Sequence, residues 1–393
     1  MVRRMSALAT IDSDCDIVVV GAGIVGLSCA WEAARRGLSV TVCERDDRAV
    51  GASVRNFGHG FISAQAGPAF EAALLSGERW LALAQDAGFW AAPTGTVLVA
   101  RAADELQVCA EFAAGDPRRR AHVLTAAEVA EHVPLRADAI AGGLLCAGDI
   151  RVDQRAAPAA IAAWLQREFD VRVHWRTAVH GVAATTVQTA AGPITARAVV
   201  VCPGHDLDCI YPDVFAGHEV GRVLLQMLSV DAPDGCVIEP ALVTGLSLLR
   251  YAGFAGCPSL AAVRERLERE RPELLAAGIH LVITQRPSGE LVIGDSHAYE
   301  RTPAPFGHER IDELLLAEAA ELLGVPTLRV RERWQGVYAH APGQDFLVAA
   351  PAPAVRVVAV TSGIGMTTAL GLASGVLDEL TAEIDHTYEE AST

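Results

Sequence analysis

Apolar positions along the chain alternate between short β-branched runs and longer alanine-rich stretches, and each change of texture falls at glycine. Ile17 to Val20 is a four-residue apolar run that stops at Gly21, as a strand buried on both faces does. The alanine-rich stretch after Gly26 reads as a helix closed by Arg35, Arg36 and Gly37, two cations and a left-handed cap. Leu38 to Cys43 is a second strand, and Pro68 to Ala87 a second helix. Thr125 and Glu128 form a capping box, and Asp153 is predicted to cap a helix that runs to Phe169. Strands return at 171–174 and 194–202. From 221 to 300 the texture differs: RVLLQMLSV, HLVITQR and ELVIGD read as strands of a sheet, with the turn SGE at 288–290 joining the last two. A polar helix is predicted at 308–323. The chain then returns to its opening pattern, with VRVVAV at 355–360, the turn TSGIG, and an apolar helix from Met366 to Leu380.

A chain that ends in the pattern with which it begins has been interrupted by something else. The reading is an α/β, Rossmann-like domain at 14–90, 149–220 and 335–393, interrupted by an α+β substrate domain with a mainly antiparallel sheet at 91–148 and 221–334. Residues 1–13, which hold two arginines and no long apolar stretch, read as a disordered lead-in.

The first strand, turn, helix and strand suit a dinucleotide. Gly21 permits the turn, Gly23 lets the backbone approach a pyrophosphate, and Gly26 lets the helix pack closely on the strand. The helix N-terminus supplies free N–H groups and partial positive charge to the phosphates. Glu44 lies twenty-three positions after Gly21, where an acidic residue meets a ribose hydroxyl pair.

Composition narrows the partners. The net charge is −16, which argues against nucleic acid. No run has the ~20 uncharged apolar residues of a membrane span. The nine cysteines are odd in number and contain no C-x-x-C pair; they read as reduced core thiols of a cytoplasmic protein. No histidine or cysteine cluster has metal spacing, and no G-x-S-x-G or serine–histidine–acid triad is present.

GAGIVGLSCAWEAARRGLSVTVCERD, GASVRNFG, RPSGELVIGD and TSGIGMTTALGLASG, in that order, resemble the D-amino-acid oxidase superfamily, which includes glycine and sarcosine oxidases. VRNFG, LLQML, LLRYAGF and WQGVYAHAP are most similar to a subgroup that occurs beside phosphonate-degradation genes. The resemblance implies bound FAD: Gly21, Gly23, Gly26, Glu44 and Arg45 around its pyrophosphate and ribose, and Ser53, Arg55, Asn56 and Gly58 along the flavin. It further implies Val179 at the adenine, Gly204 in the turn after the third strand, and Ser362, Gly363, Ile364, Gly365 and Met366 beneath the N1 edge. FAD is expected to be noncovalent, because Gly336 stands where sarcosine oxidases carry the attachment cysteine. By the same resemblance the reaction is oxidation of a C–N bond by hydride loss from the carbon beside a neutral amine, without an obligatory general base. Oxygen is the expected acceptor.

The departures bear on substrate. Glycine and D-amino-acid oxidases carry a G-L-R-P motif whose arginine clamps the substrate carboxylate; the aligned residues here are Gly336, Val337, Tyr338 and Ala339. The expected substrate is therefore a small amine whose anionic group is larger and lies elsewhere, and the resemblance to the phosphonate-associated subgroup implies 2-aminoethylphosphonate or its N-methyl form. Tyr338, Arg250, Arg286 and His59 are the candidate substrate-site residues, with Arg222, Arg55 and His340 as further potential cations. The rivals are an oxidase of glycine, sarcosine or D-amino acids, an FAD-binding subunit of a larger complex, and an NAD-dependent dehydrogenase, against which the TSGIG turn speaks.

Overall fold

The computed structural model describes residues 14–135 and 137–391, and the lead-in predicted at 1–13 lies outside them. β1 (Asp14–Val20) pairs in parallel with β2 (Val40–Cys43) on one side and with the strand Gly192–Val201 on the other. Arg172–His174 extends this sheet beyond β2, and Val355–Val360 extends it beyond Gly192–Val201, both in parallel. The C-terminal strand therefore completes a sheet begun at residue 14. Helices cover one face. α1 (Ile24–Arg35), Gly67–Ala87, Ala157–Phe169 and Gly365–Ala391 bury Leu27, Trp80, Leu165 and Leu377 against Ile17, Val19 and Val200. The other face buries Val18, Val199 and Val357 with Phe215 and Leu347.

Among the described residues the second sheet has nine strands. Gly221–Val230 pairs antiparallel with Leu291–Gly294, which pairs with Val282–Gln285 through the predicted SGE turn. Ala241–Thr244 joins this group to Thr96–Ala100 in parallel, and Gly142–Cys146 and Ala121–Leu124 follow antiparallel. Val330–His340 runs antiparallel to Gly221–Val230 along its whole length. Residues 335–340 thus continue the second sheet, where the sequence reading began the nucleotide-binding part; the alternation of that strand is interrupted by Gly336 and reads weakly.

Local expectations are met with two corrections. Thr125 and Glu128 make both bonds of the capping box. The last helix runs well past Leu380. Asp153 accepts from the Arg155 and Ala156 amides and so closes the turn ahead of the helix; the helix begins at Ala157 with a proline in its first turn. Among the described residues all nine cysteines are free; six are buried and Cys209 is exposed. None of the described helices is long and apolar enough to cross a membrane.

Glu32 on α1 fastens three helices together. Its carboxylate is 1% exposed and accepts from Arg35, Arg36 and Arg79 at 2.7–3.0 Å. Arg79 also donates to the Leu370 carbonyl, and Arg36 to Asp378, both on the last helix. Removing one partner of a buried pair leaves the others uncompensated. Glu32→Ala is expected to cost about 3 kcal/mol of stability, measured as a lower denaturant midpoint; an unchanged midpoint would show that the arginines are satisfied by water.

Candidate active site

The glycine turn is closed by contacts that tolerate no side chain. Gly21 has φ of +101°, and a Cβ there would lie 2.4 Å from the Cys202 carbonyl oxygen. A Cβ on Gly26 would lie 1.9 Å from the Gly21 oxygen, so α1 packs directly on the turn. Ser53 Oγ accepts from the Ile24 N–H at 2.8 Å and draws the 51–56 loop against the helix N-terminus. Glu44, delivered by β2, accepts from the Ala22 N–H at 2.8 Å and from the Asp46 N–H at 3.0 Å. The predicted ribose acceptor is thus also a brace for the turn. Arg45 pairs with Asp206 at 2.7 Å.

One cavity of about 720 Å³ runs from this turn to the second sheet. It is lined by Gly21, Gly23, Gly26, Glu44, Arg45, Ser53, Arg55, Asn56, Val179, Gly204 and Ser362 to Met366, and at its far end by Arg250, Tyr338 and His59.

Tyr338 lies on Val330–His340, opposite Val223. Its ring covers the TSGIG turn so closely that a Cβ on Gly363, which has φ of +80°, would lie 2.8 Å from the ring. Arg250 follows the short helical turn Gly245–Leu249. Its Nη2 donates to the Tyr338 hydroxyl at 3.1 Å and to the Ser362 carbonyl at 3.2 Å, while Arg250 Nε and Ser362 Oγ are buried without a partner. Burial disfavours the guanidinium charge, but Tyr338, Tyr251, Tyr299 and Asp295 outweigh it and hold Arg250 above its ordinary value. Burial pushes the Tyr338 and Tyr251 phenols up, so both are neutral hydrogen-bond donors.

Three residues that the sequence did not single out as site candidates complete this end. His280 Nε2 lies 3.0 Å from Asp295 Oδ1, and His297 Nδ1 lies 3.9 Å from the same oxygen. Burial works to raise the Asp295 carboxyl, and the two histidines with Arg250 reverse it, leaving the group below its usual range and ionised. Burial lowers His297 to about 3, against the pull of Asp295. All three line the cavity. Their spacing was available from the hairpin: with Val282 opposite Gly294, position 280 falls opposite 296, between Asp295 and His297.

Two expected site residues, Gly58 and Arg286, are not brought in, and neither are the further cations Arg222 and His340. Gly58 lies off the cavity wall; a Cβ there would meet the Val152 carbonyl oxygen at 2.0 Å, so a strand crossing, not the flavin loop, demands the glycine. Arg286 stays in its hairpin turn, paired with Glu290 at 2.6 Å and Asp153 at 3.5 Å, and does not line the cavity. Arg222 is likewise held outside by Asp208 and the His205 carbonyl. His340 packs on Tyr299. Arg55 lines the cavity and donates to the Gln335 carbonyl at 3.3 Å. His59 is inside but is no cation. Burial, with Arg151 nearby, lowers it to about 3, and its Nε2 lies 2.7 Å from Thr96 Oγ1.

The residues fit FAD: a glycine turn at the N-terminus of α1, a carboxylate at the end of β2, and unpartnered Ser362 Oγ and Arg250 Nε, all lining one cavity. The protein is expected to purify yellow and to release its flavin on acid denaturation, since Gly336 offers no attachment atom; flavin that precipitates with the protein would contradict this. Glu44→Gln keeps one acceptor oxygen and is expected to weaken FAD binding about tenfold, read by flavin release on dilution. Unchanged affinity would place the ribose elsewhere.

The profile of the family described as DAO, FAD dependent oxidoreductase, matches residues 16–378. Among solved structures, the chain is similar to an L-proline dehydrogenase from P. horikoshii, with 20% identity and a TM-score of 0.76 over 95% of this chain and 94% of that one. It is similar to a glycine oxidase from Geobacillus kaustophilus, with 20% identity and a TM-score of 0.73 over 95% of each chain. A curated relative, coproporphyrinogen III oxidase of Propionibacterium freudenreichii subsp. freudenreichii, is 43% identical over 60 residues, which are 15% of this chain and 11% of that protein. The structural likeness carries the fold, the profile carries the cofactor class, and the chain belongs to the DAO family of FAD-dependent oxidoreductases.

Proposed function

We propose that the chain oxidises the C–N bond of a small primary or secondary amine that bears a separate anionic group, with 2-aminoethylphosphonate or its N-methyl form as the leading substrate. The observation that carries it is Arg250, a buried cation bonded to the Tyr338 hydroxyl beside the TSGIG turn. By the family resemblance Tyr338 stands in the place of a clamping arginine, and Arg250, bonded to its hydroxyl, brings the positive charge back. Bound FAD supplies the two-electron acceptor. The chain's part is to hold the anion, to place the carbon beside the amine over the turn, and to exclude water with Phe57, Phe61 and Met227, which line the same end. Oxygen is the proposed final acceptor.

A carboxylate substrate is the second reading. The guanidinium and phenol suit a planar oxyanion, and the two solved neighbours are named as enzymes of L-proline and glycine. The phosphonate is preferred because Arg250, Tyr338, Tyr251 and Ser362 offer more donors than two oxygens require.

The test is a screen by peroxide and by dye reduction of glycine, sarcosine, D-alanine, 2-aminoethylphosphonate and its N-methyl form. The phosphonates are expected to win by at least about tenfold in kcat/KM. A wild-type preference for the carboxylates would make Tyr338 a packing residue and the chain an amino-acid oxidase. Arg250→Met is expected to raise KM for the anionic amine about 10- to 100-fold and to leave a neutral amine nearly unchanged; equal losses for both would remove the arginine from anion binding. Turnover by the purified chain alone would exclude an obligatory partner subunit.

A further inference from the structure

We infer that Asp295 is the receptor for the substrate's ammonium, so that the cavity takes its substrate as a zwitterion held between Arg250 and Asp295. This rests on the anionic-amine reading above and assigns the other end of the same molecule.

Asp295 is 5% exposed, yet it lines the cavity. A carboxylate buried this far normally has a full cation beside it. Among the described residues the groups within ion-pair distance of Asp295 are the two imidazoles, and no arginine is among them. His280 Nε2 lies 3.0 Å from Oδ1, and its hydrogen bond helps to keep the carboxyl below its usual range. His297, which burial lowers to about 3, supplies no full charge; the His280 ring at 3.0 Å and Arg250 at longer range are what hold the carboxyl ionised. His297 Nδ1 faces the Gly278 carbonyl at 3.0 Å and must donate to it, so in the neutral ring Nε2 is a bare acceptor.

The end of the cavity is therefore divided by hydrogen-bonding sense. Arg250, Tyr338 and Tyr251 donate; Asp295 and His297 Nε2 accept. Arg250 and Asp295 attract each other through the interior but form no direct pair. Two opposite charges held apart in one cavity suit a ligand that carries both charges itself. An ammonium brings donors to the acceptor side, and a phosphonate or carboxylate brings acceptors to the donor side. The same three side chains could be read as two imidazoles and a carboxylate around a metal. The bond from His297 to Gly278 and the need for a counter-charge to the amine favour the ammonium.

The groups that face the bound amine from the packed elements are His280, ahead of the strand Val282–Gln285; Asp295 and His297, after the strand Leu291–Gly294; Arg250 and Tyr251, from the 250 loop; and Tyr338. An anion beside an ammonium raises its pKa, and oxidation needs the neutral amine. Flavin reduction at saturating substrate is thus expected to fall on the acid side of the bound amine's pKa. In Asp295→Asn that limb moves to lower pH by about one unit or more.

The test measures binding of matched pairs, 2-aminoethylphosphonate with ethylphosphonate and glycine with acetate, to wild-type and Asp295→Asn holoenzyme by perturbation of the flavin spectrum. The variant is expected to bind the amine-bearing member about tenfold more weakly or worse, and the amine-free anion as well or better. Parallel losses for both members would overturn the assignment while leaving the anionic-amine reading in place. Failure of wild-type enzyme to oxidise any anionic amine would overturn that reading itself. If Asp295→Asn does not hold FAD, the wild-type pairs still decide: an amine-free anion that binds as tightly as its amine partner refutes the receptor. Activity lost to a chelator and restored by zinc would replace the ammonium with a metal.

Discussion

Arg250 bridges the two halves of the molecule, and the chemistry of the cavity depends on that bridge. A guanidinium buried in the interior is costly unless its protons are accepted. Here one nitrogen serves both the Tyr338 hydroxyl, from the second sheet, and the Ser362 carbonyl, from the turn of the nucleotide-binding half. The Tyr338 ring in turn closes over Gly363, where no side chain fits. The cation is thus fixed beside the turn, with its Nε unpartnered. Asp295 lines the same cavity and interacts with the cation through the interior without a direct pair.

That arrangement requires the discontinuous fold. Cys202, Glu44 and the glycine turn meet because three parallel strands adjoin, and the TSGIG turn joins them because Val355–Val360 pairs with Gly192–Val201. Trp80 donates to the Met366 carbonyl at 2.7 Å, and Glu32 with its arginines ties the same helices behind it. The helix packing therefore sets where the turn presents Ser362 to Arg250.

What could be read from the sequence follows from distance along the chain. The strand, turn, helix, strand and Glu44 are contiguous, so local pattern and steric need coincide, and the elements that bring the turn and Glu44 together were legible. The closing strand and turn were legible because they repeat its texture. Arg250 and Tyr338 were identified as separate candidates, but their contact spans 88 positions, and nothing local announces it. Arg286 misled because a charge next to a strand end looks the same whether it faces a pocket or its own turn; Glu290, four residues on, takes it. Gly58 misled because a crossing strand imposes the same demand as a ligand. Asp295 and the two histidines were hidden at the ends of strands read as core, although the hairpin register juxtaposes them.

The most direct measurement is a crystal structure of the FAD-loaded protein with an unreactive anionic amine analogue, such as one dimethylated at the carbon beside nitrogen. The phosphonate oxygens should lie within hydrogen-bond distance of the Arg250 guanidinium and the Tyr338 hydroxyl, with the nitrogen turned toward Asp295. An anion seated on Arg55 or outside the cavity, with Arg250 bound only to the cofactor, would contradict the account.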